Sequence, residues 1–254
     1  MSFQQKLDKI IDKNNSLLCV GLDPREPSFE FNKKIIDETH DLVCAYKPNS
    51  AFYEAYGDEG IKVLKKTVDY IKNNYPEILT ILDAKRGDIA STNEGYAKAT
   101  FDWYGFDAVT LNPYLGREAL EPFLERSDRG SIILCRTSNP GAGEFQDLVS
   151  EDKPLWQTVA EKVANEWNGR GNCMVVVGAT YPKELGEVRR IVGEMTILVP
   201  GIGTQGGDLE KALLAGLNSQ KRGVIVAVGR SIINAENPRE AAQRLRDEIN
   251  LHRR

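Results

Sequence analysis

The chain has 254 residues, 41% of them apolar and 28% charged, with a formal net charge of -4, the profile of an ordinary globular chain able to bury a large core. No apolar run approaches the roughly 20 residues of a membrane span, and the start, Met1-Ser2-Phe3-Gln4-Gln5-Lys6, lacks the apolar stretch of a secretory signal, so no membrane role and a cytoplasmic location are expected. A mildly acidic balance without a basic stripe argues against nucleic acid as a partner, and the two histidines, His40 and His252, lie in polar sequence that argues against histidine catalysis.

Taken in order, Gln4 to Lys13 reads as an N-terminal helix. A first strand, Leu17 to Leu22, ends in Gly21-Leu22-Asp23-Pro24; a second, Val43 to Lys47, ends in Lys47-Pro48-Asn49 and precedes a helix over Ile61 to Asn73. The third, Leu79 to Asp83, runs into Asp83-Ala84-Lys85-Arg86-Gly87-Asp88 and a helix over Asn93 to Tyr104. Ala108 to Leu111 is followed by Arg117 to Glu125, and Ser131 to Arg136 by Thr137-Ser138-Asn139-Pro140-Gly141 and Leu155 to Trp167. Cys173 to Gly178 precedes Lys183 to Val192, Thr196 to Val199 precedes Leu209 to Leu217, and Gly223 to Val228 precedes Gly229-Arg230-Ser231 and Arg239 to Ile249. Eight strand and helix units in one length, with strands that are continuous apolar runs, predict an α/β chain folded as a (β/α)8 (TIM) barrel. It is expected to form one domain over residues 1–254, its bottom closed by the N-terminal helix. The four cysteines, Cys19, Cys44, Cys135 and Cys173, fall mostly within strand runs and read as buried free thiols, with neither zinc spacing nor a disulfide framework.

In such a barrel the functional groups sit where strands end. Side chains two apart on a strand share a face, so Asp83 and Lys85 point the same way, and Gly87 lets the chain turn so that Asp88 faces them. Two carboxylates would then bracket one ammonium, a cluster suited to ejecting an anionic group and delivering a proton, or else a solvated ion-pair network. The glycine-rich turns after the seventh and eighth strands, which include Pro200, Gln205 and Gly229, read either as a phosphate cradle completed by Arg230 or as tight turns alone. Asp23 and Lys47 end neighbouring strands and could bind sugar hydroxyls, although Asp before Pro24 is also a common turn and Lys47 could be a snorkelling rim lysine. Ser138 and Asn139 either read the edge of a planar base or shape the turn before Pro140. Ser91-Thr92-Asn93-Glu94 reads as a capping box, with Ser91 structural and the Thr92 hydroxyl either free for a ligand or not.

With these residues in place, Asp83-Ala84-Lys85-Arg86-Gly87-Asp88-Ile89 and Thr137-Ser138-Asn139-Pro140-Gly141-Ala142 resemble orotidine 5'-phosphate decarboxylases, in particular their longer bacterial and archaeal subgroup, and the match runs from Gly21 to Ser231. The Asp-x-Lys-x-x-Asp pattern alone is shared by a wider superfamily of sugar-phosphate decarboxylases and synthases. The resemblance implies decarboxylation of orotidine 5'-phosphate to UMP and CO2 in pyrimidine biosynthesis without a cofactor or metal. It implies a homodimer in which Asp83 and Lys85 come from one chain while Asp88, Ile89 and Thr92 reach into the neighbour's site. Asp23 and Lys47 would bind ribose, Ser138 the pyrimidine, and Gln205 and Arg230 the phosphate, with Lys85 stabilising and protonating a C6 carbanion. Two other readings keep the barrel: a metal-assisted reaction on a keto-sugar phosphate, which needs an extra strand-end Glu not found beside Asp83, and a silent nucleotide-binding regulator, against which the intact Asp83, Lys85 and Asp88 count.

Overall fold

The computed structural model describes residues 1–203 and 206–253. Eight strands, β1 (Leu18–Gly21), β2 (Ala45–Lys47), β3 (Leu79–Arg86), β4 (Ala108–Leu111), β5 (Gly130–Arg136), β6 (Cys173–Val177), β7 (Ile197–Pro200) and β8 (Val224–Val228), pair in parallel in sequence order. The ring closes through Leu18 opposite Val226 and Val20 opposite Val228. Every residue of β1, β2, β4, β6 and β8 is buried, which is why these strands read as unbroken apolar runs: the barrel interior covers one face and the helices cover the other.

The helices are α1 (Phe3–Asn14), α2 (Phe29–Thr39), α3 (Ser50–Glu54), α4 (Gly57–Asn74), α5 (Ala90–Ala97, continuing as a wider turn to Tyr104) and α6 (Gly116–Leu124). They continue with α7 (Gly143–Gln146), α8 (Leu155–Lys162, continuing to Trp167), α9 (Pro182–Val192), α10 (Leu209–Gly216), α11 (Arg230–Ile233) and α12 (Pro238–Leu251). Of these, α2 and the short α3, α7 and α11 are not among the segments read from periodicity; the last three are too short to show a repeat, whereas α2 runs for 11 residues.

The bottom of the barrel is closed as expected. A reciprocal cap between Ser2 and Gln5 starts α1, and its buried face (Phe3, Leu7, Ile10, Ile11) lies under the strand starts. Gly130 opens β5 against the Phe3 ring, where an added Cβ would sit 2.8 Å from ring carbon. On the same face the buried Arg189 guanidinium donates to four carbonyls, those of Gly193, Met195, Gly216 and Gly223, satisfying the ends of α9 and α10 and the approach to β8.

Two local expectations are corrected. The third strand does not stop at Asp83: after Ile81 opposite Ala108 and Leu82 opposite Val109, the pairing slips, and Arg86 lies opposite Leu111. Asp83, Ala84 and Lys85 therefore bulge out against the single residue Thr110. The capping box at Ser91 and Glu94 does not form; α5 starts two residues earlier, with Ile89 at its cap and no side-chain cap bond. The nearby carboxylate of Asp88 accepts the Ile89 amide at 2.7 Å, and Asn93 donates to the Asp88 carbonyl at 2.8 Å, so the acceptors that would have favoured a later start are supplied from upstream.

Candidate active site

The bulge concentrates charge at the C-terminal rim. Lys85 adopts a left-handed backbone with φ of 47°, a conformation that strains a non-glycine residue by about 1–3 kcal/mol and is found preferentially at functional sites. Its backbone N–H donates to the Thr110 hydroxyl at 2.9 Å, across the slip in pairing. Its ammonium turns back to Asp83 Oδ1 at 2.6 Å. The same-face expectation for Asp83 and Lys85 holds, though through an irregular strand rather than simple alternation.

The other oxygen, Asp83 Oδ2, accepts from Lys47 at 2.7 Å across the β2 and β3 pair, and Thr110 Oγ1 donates to Oδ1 at 3.0 Å. One carboxylate is thus held between two ammonium groups, the reverse of the two acids about one lysine read from the sequence. Asp88 is not part of the cluster within one chain; its carboxylate is spent on the Ile89 amide. Gly87, next to it, is required less for a turn than for close approach: a Cβ there would lie 2.8 Å from the Asn112 carbonyl.

Burial decides the electrostatics. The Lys47 and Asp83 side chains are 9% and 13% exposed, against 47% for Lys85. Burial opposes ionisation of Asp83, but Lys47 and Lys85 outweigh it and hold its carboxyl well below the usual carboxylate range. Burial likewise opposes the charge on Lys47, and the carboxylates of Asp83 and Asp23 reverse that effect and raise its pKa. For Asp23 the order differs: burial dominates and raises its pKa despite Lys47 and the 2.8 Å bond it accepts from the Asn49 amide. The pairing expected between Asp23 and Lys47 is therefore a neighbourhood rather than a bond. Beneath them the Cys19 thiol is pushed up to about 12 by burial, an inert floor to the site; all four cysteines are free and buried.

The strand-eight loop meets this cluster at Gly21. A Cβ there would stand 3.2 Å from Gly229 Cα and 3.3 Å from Asp23 Oδ2, so a larger residue would push the ends of β1 and β8 apart by a few tenths of an ångström. Gly229 caps α11, whose first residue, Arg230, is exposed and makes no ion pair among the described residues. Gly203, with φ of 75°, comes near the Ser231 side chain, and Gly207 folds back on Gly201 with an N to O distance of 3.1 Å. Pro200 ends β7 and accepts the Ala179 amide at 2.9 Å. Gln205 lies outside the described residues. Ser138 sits half-buried over Gly178, where a Cβ would be 2.8 Å from its own. Its loop is fixed by Arg136, buried at 3% exposure. The Arg136 guanidinium stacks 3.9 Å from the Tyr181 ring and reaches Asp147 at 3.0 Å, while Gln146 accepts the Thr137 amide at 2.9 Å. Thr92 and Ile89 are exposed on the α5 side of the rim.

Sequence reasoning missed Thr110 and Asn49. The available signal for Thr110 was a hydroxyl in the middle of an apolar strand, where a buried polar group needs a partner. Among the described residues no group of three or more His, Cys, Asp or Glu side chains is placed to hold a metal ion, and no helix is long and apolar enough to cross a membrane. A groove of about 940 Å3 at the opposite end, lined by Arg222, Arg244 and Arg253, is a surface feature whose cations are partly tied back into the fold, Arg222 to Asp12 and Arg253 to Asn15 and Asn250.

A sequence model of the Orotidine 5'-phosphate decarboxylase / HUMPS family matches residues 16–245. The chain belongs to that family. The orotidine 5'-phosphate decarboxylase of Thermomicrobium roseum is 52% identical, with 98% of this chain and 95% of that protein covered. The structure of Leishmania donovani OMP decarboxylase matches with a TM-score of 0.93 at 40% identity, covering 100% of this chain and 99% of that one. The structure of Leishmania donovani UMP synthase gives a TM-score of 0.95 at 41% identity over 100% of this chain, which spans 57% of that longer chain.

The paired carboxylate has a consequence for stability. A carboxyl whose pKa is lowered by folding contributes stability that is complete above its unfolded value near 4 and is lost as pH falls below it. Asp83→Asn, which strands the buried Lys47 ammonium, is expected to lower stability in urea by about 3 kcal/mol at pH 7, with the gap from the unmodified chain narrowing between about pH 5 and pH 3. A gap of constant size across that range would contradict an ionised, doubly paired Asp83.

Proposed function

We propose that the chain is a carboxy-lyase that converts orotidine 5'-phosphate to UMP and CO2 in pyrimidine biosynthesis, without a cofactor. The observation that carries this reading is the Asp83 carboxylate gripped by Lys47 and Lys85 at the mouth of a barrel of this family. Breaking the bond from C6 to the carboxylate leaves the electron pair in the ring plane, where the π system cannot spread it. Making that step fast requires transition-state stabilisation on the order of 20 kcal/mol, and it must come from fixed charge close to C6.

Lys85 has the reach and the exposure to supply that charge, because its side chain is half-exposed at the rim while Thr110 fixes its backbone and Asp83 aims its ammonium. As CO2 departs, the ammonium offsets the charge growing on C6 and then transfers one proton to it; the resulting amine recovers its proton from solvent. Asp83 stands beside the place the substrate carboxylate must occupy. Lys47 keeps Asp83 ionised throughout, and with Asp23 it faces the ribose hydroxyls. Arg230, Gln205 and the turns at Pro200 and Gly229 take the 5'-phosphate, and Ser138 the pyrimidine edge. Phosphate binding then contributes remote energy that seats the ring against Lys85.

The active unit in this reading is a homodimer. Asp88 has no partner in the charge cluster of its own chain, and apolar side chains beside it stand in water: Ile89 is 61%, Tyr114 81% and Leu115 48% exposed. Packing a second copy there covers these side chains and brings Asp88, Ile89 and Thr92 to the neighbour's Lys85.

Turnover is read by the loss of orotidylate absorbance on adding purified chain, with and without EDTA. Activity unaffected by the chelator is expected, and activity that disappears with it would favour the metal-assisted reaction on a sugar phosphate. Lys85→Ala is expected to abolish turnover while UMP still binds; retention of substantial activity would refute its role. Mixing inactive Lys85→Ala and Asp88→Ala chains after dissociation is expected to restore on the order of a quarter of the original sites, because half the reassembled dimers carry one intact shared site. No recovery in demonstrably mixed dimers would place Asp88 outside the partner's site.

A further inference from the structure

We propose that Thr110 is a positioning residue of this reaction, its hydroxyl fixing where the Lys85 ammonium and the Asp83 carboxylate stand relative to the substrate; this rests on the decarboxylase reading above. Thr110 lies within the apolar run of β4 and is 2% exposed. A hydroxyl there contributes nothing to an apolar core, and its bonds run instead to the charge cluster. It donates to Asp83 Oδ1 at 3.0 Å and accepts the Lys85 backbone N–H at 2.9 Å. Asp83 Oδ1 is also the oxygen that takes the Lys85 ammonium at 2.6 Å.

These contacts form a closed ring. Lys85 is held at its backbone by Thr110 and at its Nζ by the oxygen that Thr110 orients. The ring spans the slip in pairing, where Asp83, Ala84 and Lys85 face Thr110 alone and the Lys85 amide is held by the Thr110 hydroxyl. Without the hydroxyl the left-handed Lys85, at φ of 47°, loses the acceptor that holds it. The backbone then relaxes toward an extended conformation and carries the ammonium off line. Lys47 still holds Asp83 Oδ2, so binding of the nucleotide survives while the alignment of the proton donor does not.

The test compares Thr110→Val, which keeps the branched shape and removes the hydroxyl, with Thr110→Ser, which keeps the hydroxyl and removes the methyl. For Thr110→Val, kcat is expected to fall by about 10²-fold, while KM for orotidylate and Kd for UMP change by less than about threefold. Thr110→Ser is expected to recover kcat to within about fivefold of the unmodified chain. Each variant is checked by thermal melting, and Thr110→Ala, which adds no volume, serves as a second hydroxyl-free chain if the valine fails to fold. Equal losses in the valine and serine variants, or a hydroxyl-free variant with unchanged kcat, would overturn the assignment. If the unmodified chain turns over orotidylate, Lys85→Ala does not, and Thr110→Val retains full kcat, only the role of Thr110 fails. If the unmodified chain leaves orotidylate intact, the decarboxylase reading fails and the role of Thr110 with it.

Discussion

The rim of this barrel depends on one anion shared by two cations. Asp83 presents one oxygen to Lys47 and the other to Lys85, and among the described residues neither lysine has an equivalent partner elsewhere. Coulomb attraction at contact distance in a partly buried site exceeds the desolvation that burial imposes on Asp83, so the carboxylate stays charged. An ionised acid at this spot is unwelcoming to a second carboxylate, while the two ammonium groups are welcoming to one. A substrate whose carboxylate can leave as neutral CO2 relieves the first effect and retains the second, and this asymmetry is the basis of the proposed chemistry.

Strain above is carried by regularity below. At the bottom face, α1 lies under the strand starts, Arg189 satisfies four carbonyls, and Asp107 accepts from both the amide and the hydroxyl of Thr80 at 3.0 Å. None of these groups faces the rim. At the rim, by contrast, β3 slips its register, Lys85 turns left-handed, and Gly178 and Gly207 allow contacts that a Cβ would block. Keeping the plan of a (β/α)8 barrel while deforming only the strand ends allows such geometry without loss of the core.

The strands were legible because burial on both faces leaves a continuous apolar run, and the rim residues followed from the positional rule for barrels. What escaped depended on relations between strands rather than on order within them. That Lys47 bonds Asp83 and not Asp23 is set by the register of β2 against β3, in which Ala45 lies opposite Leu79. Thr110 entered the site only because the ladder slips beside it. The false cap at Ser91 arose because a local pattern competed with Asp88, an acceptor whose direction depends on the preceding turn. Asp88 was read as facing its own Lys85, and a single chain gives it no such route.

Stabilisation of negative charge at C6 by the Lys85 ammonium is tested most directly by comparing the affinity of UMP with that of an analogue bearing an anionic oxygen at C6. The unmodified chain is expected to bind the analogue tighter than UMP by about 10²-fold or more, on the order expected of a transition-state mimic. Lys85→Ala is expected to lose nearly all of that preference while its affinity for UMP changes little. A preference that survives undiminished in Lys85→Ala would show that the ammonium does not act on charge at C6.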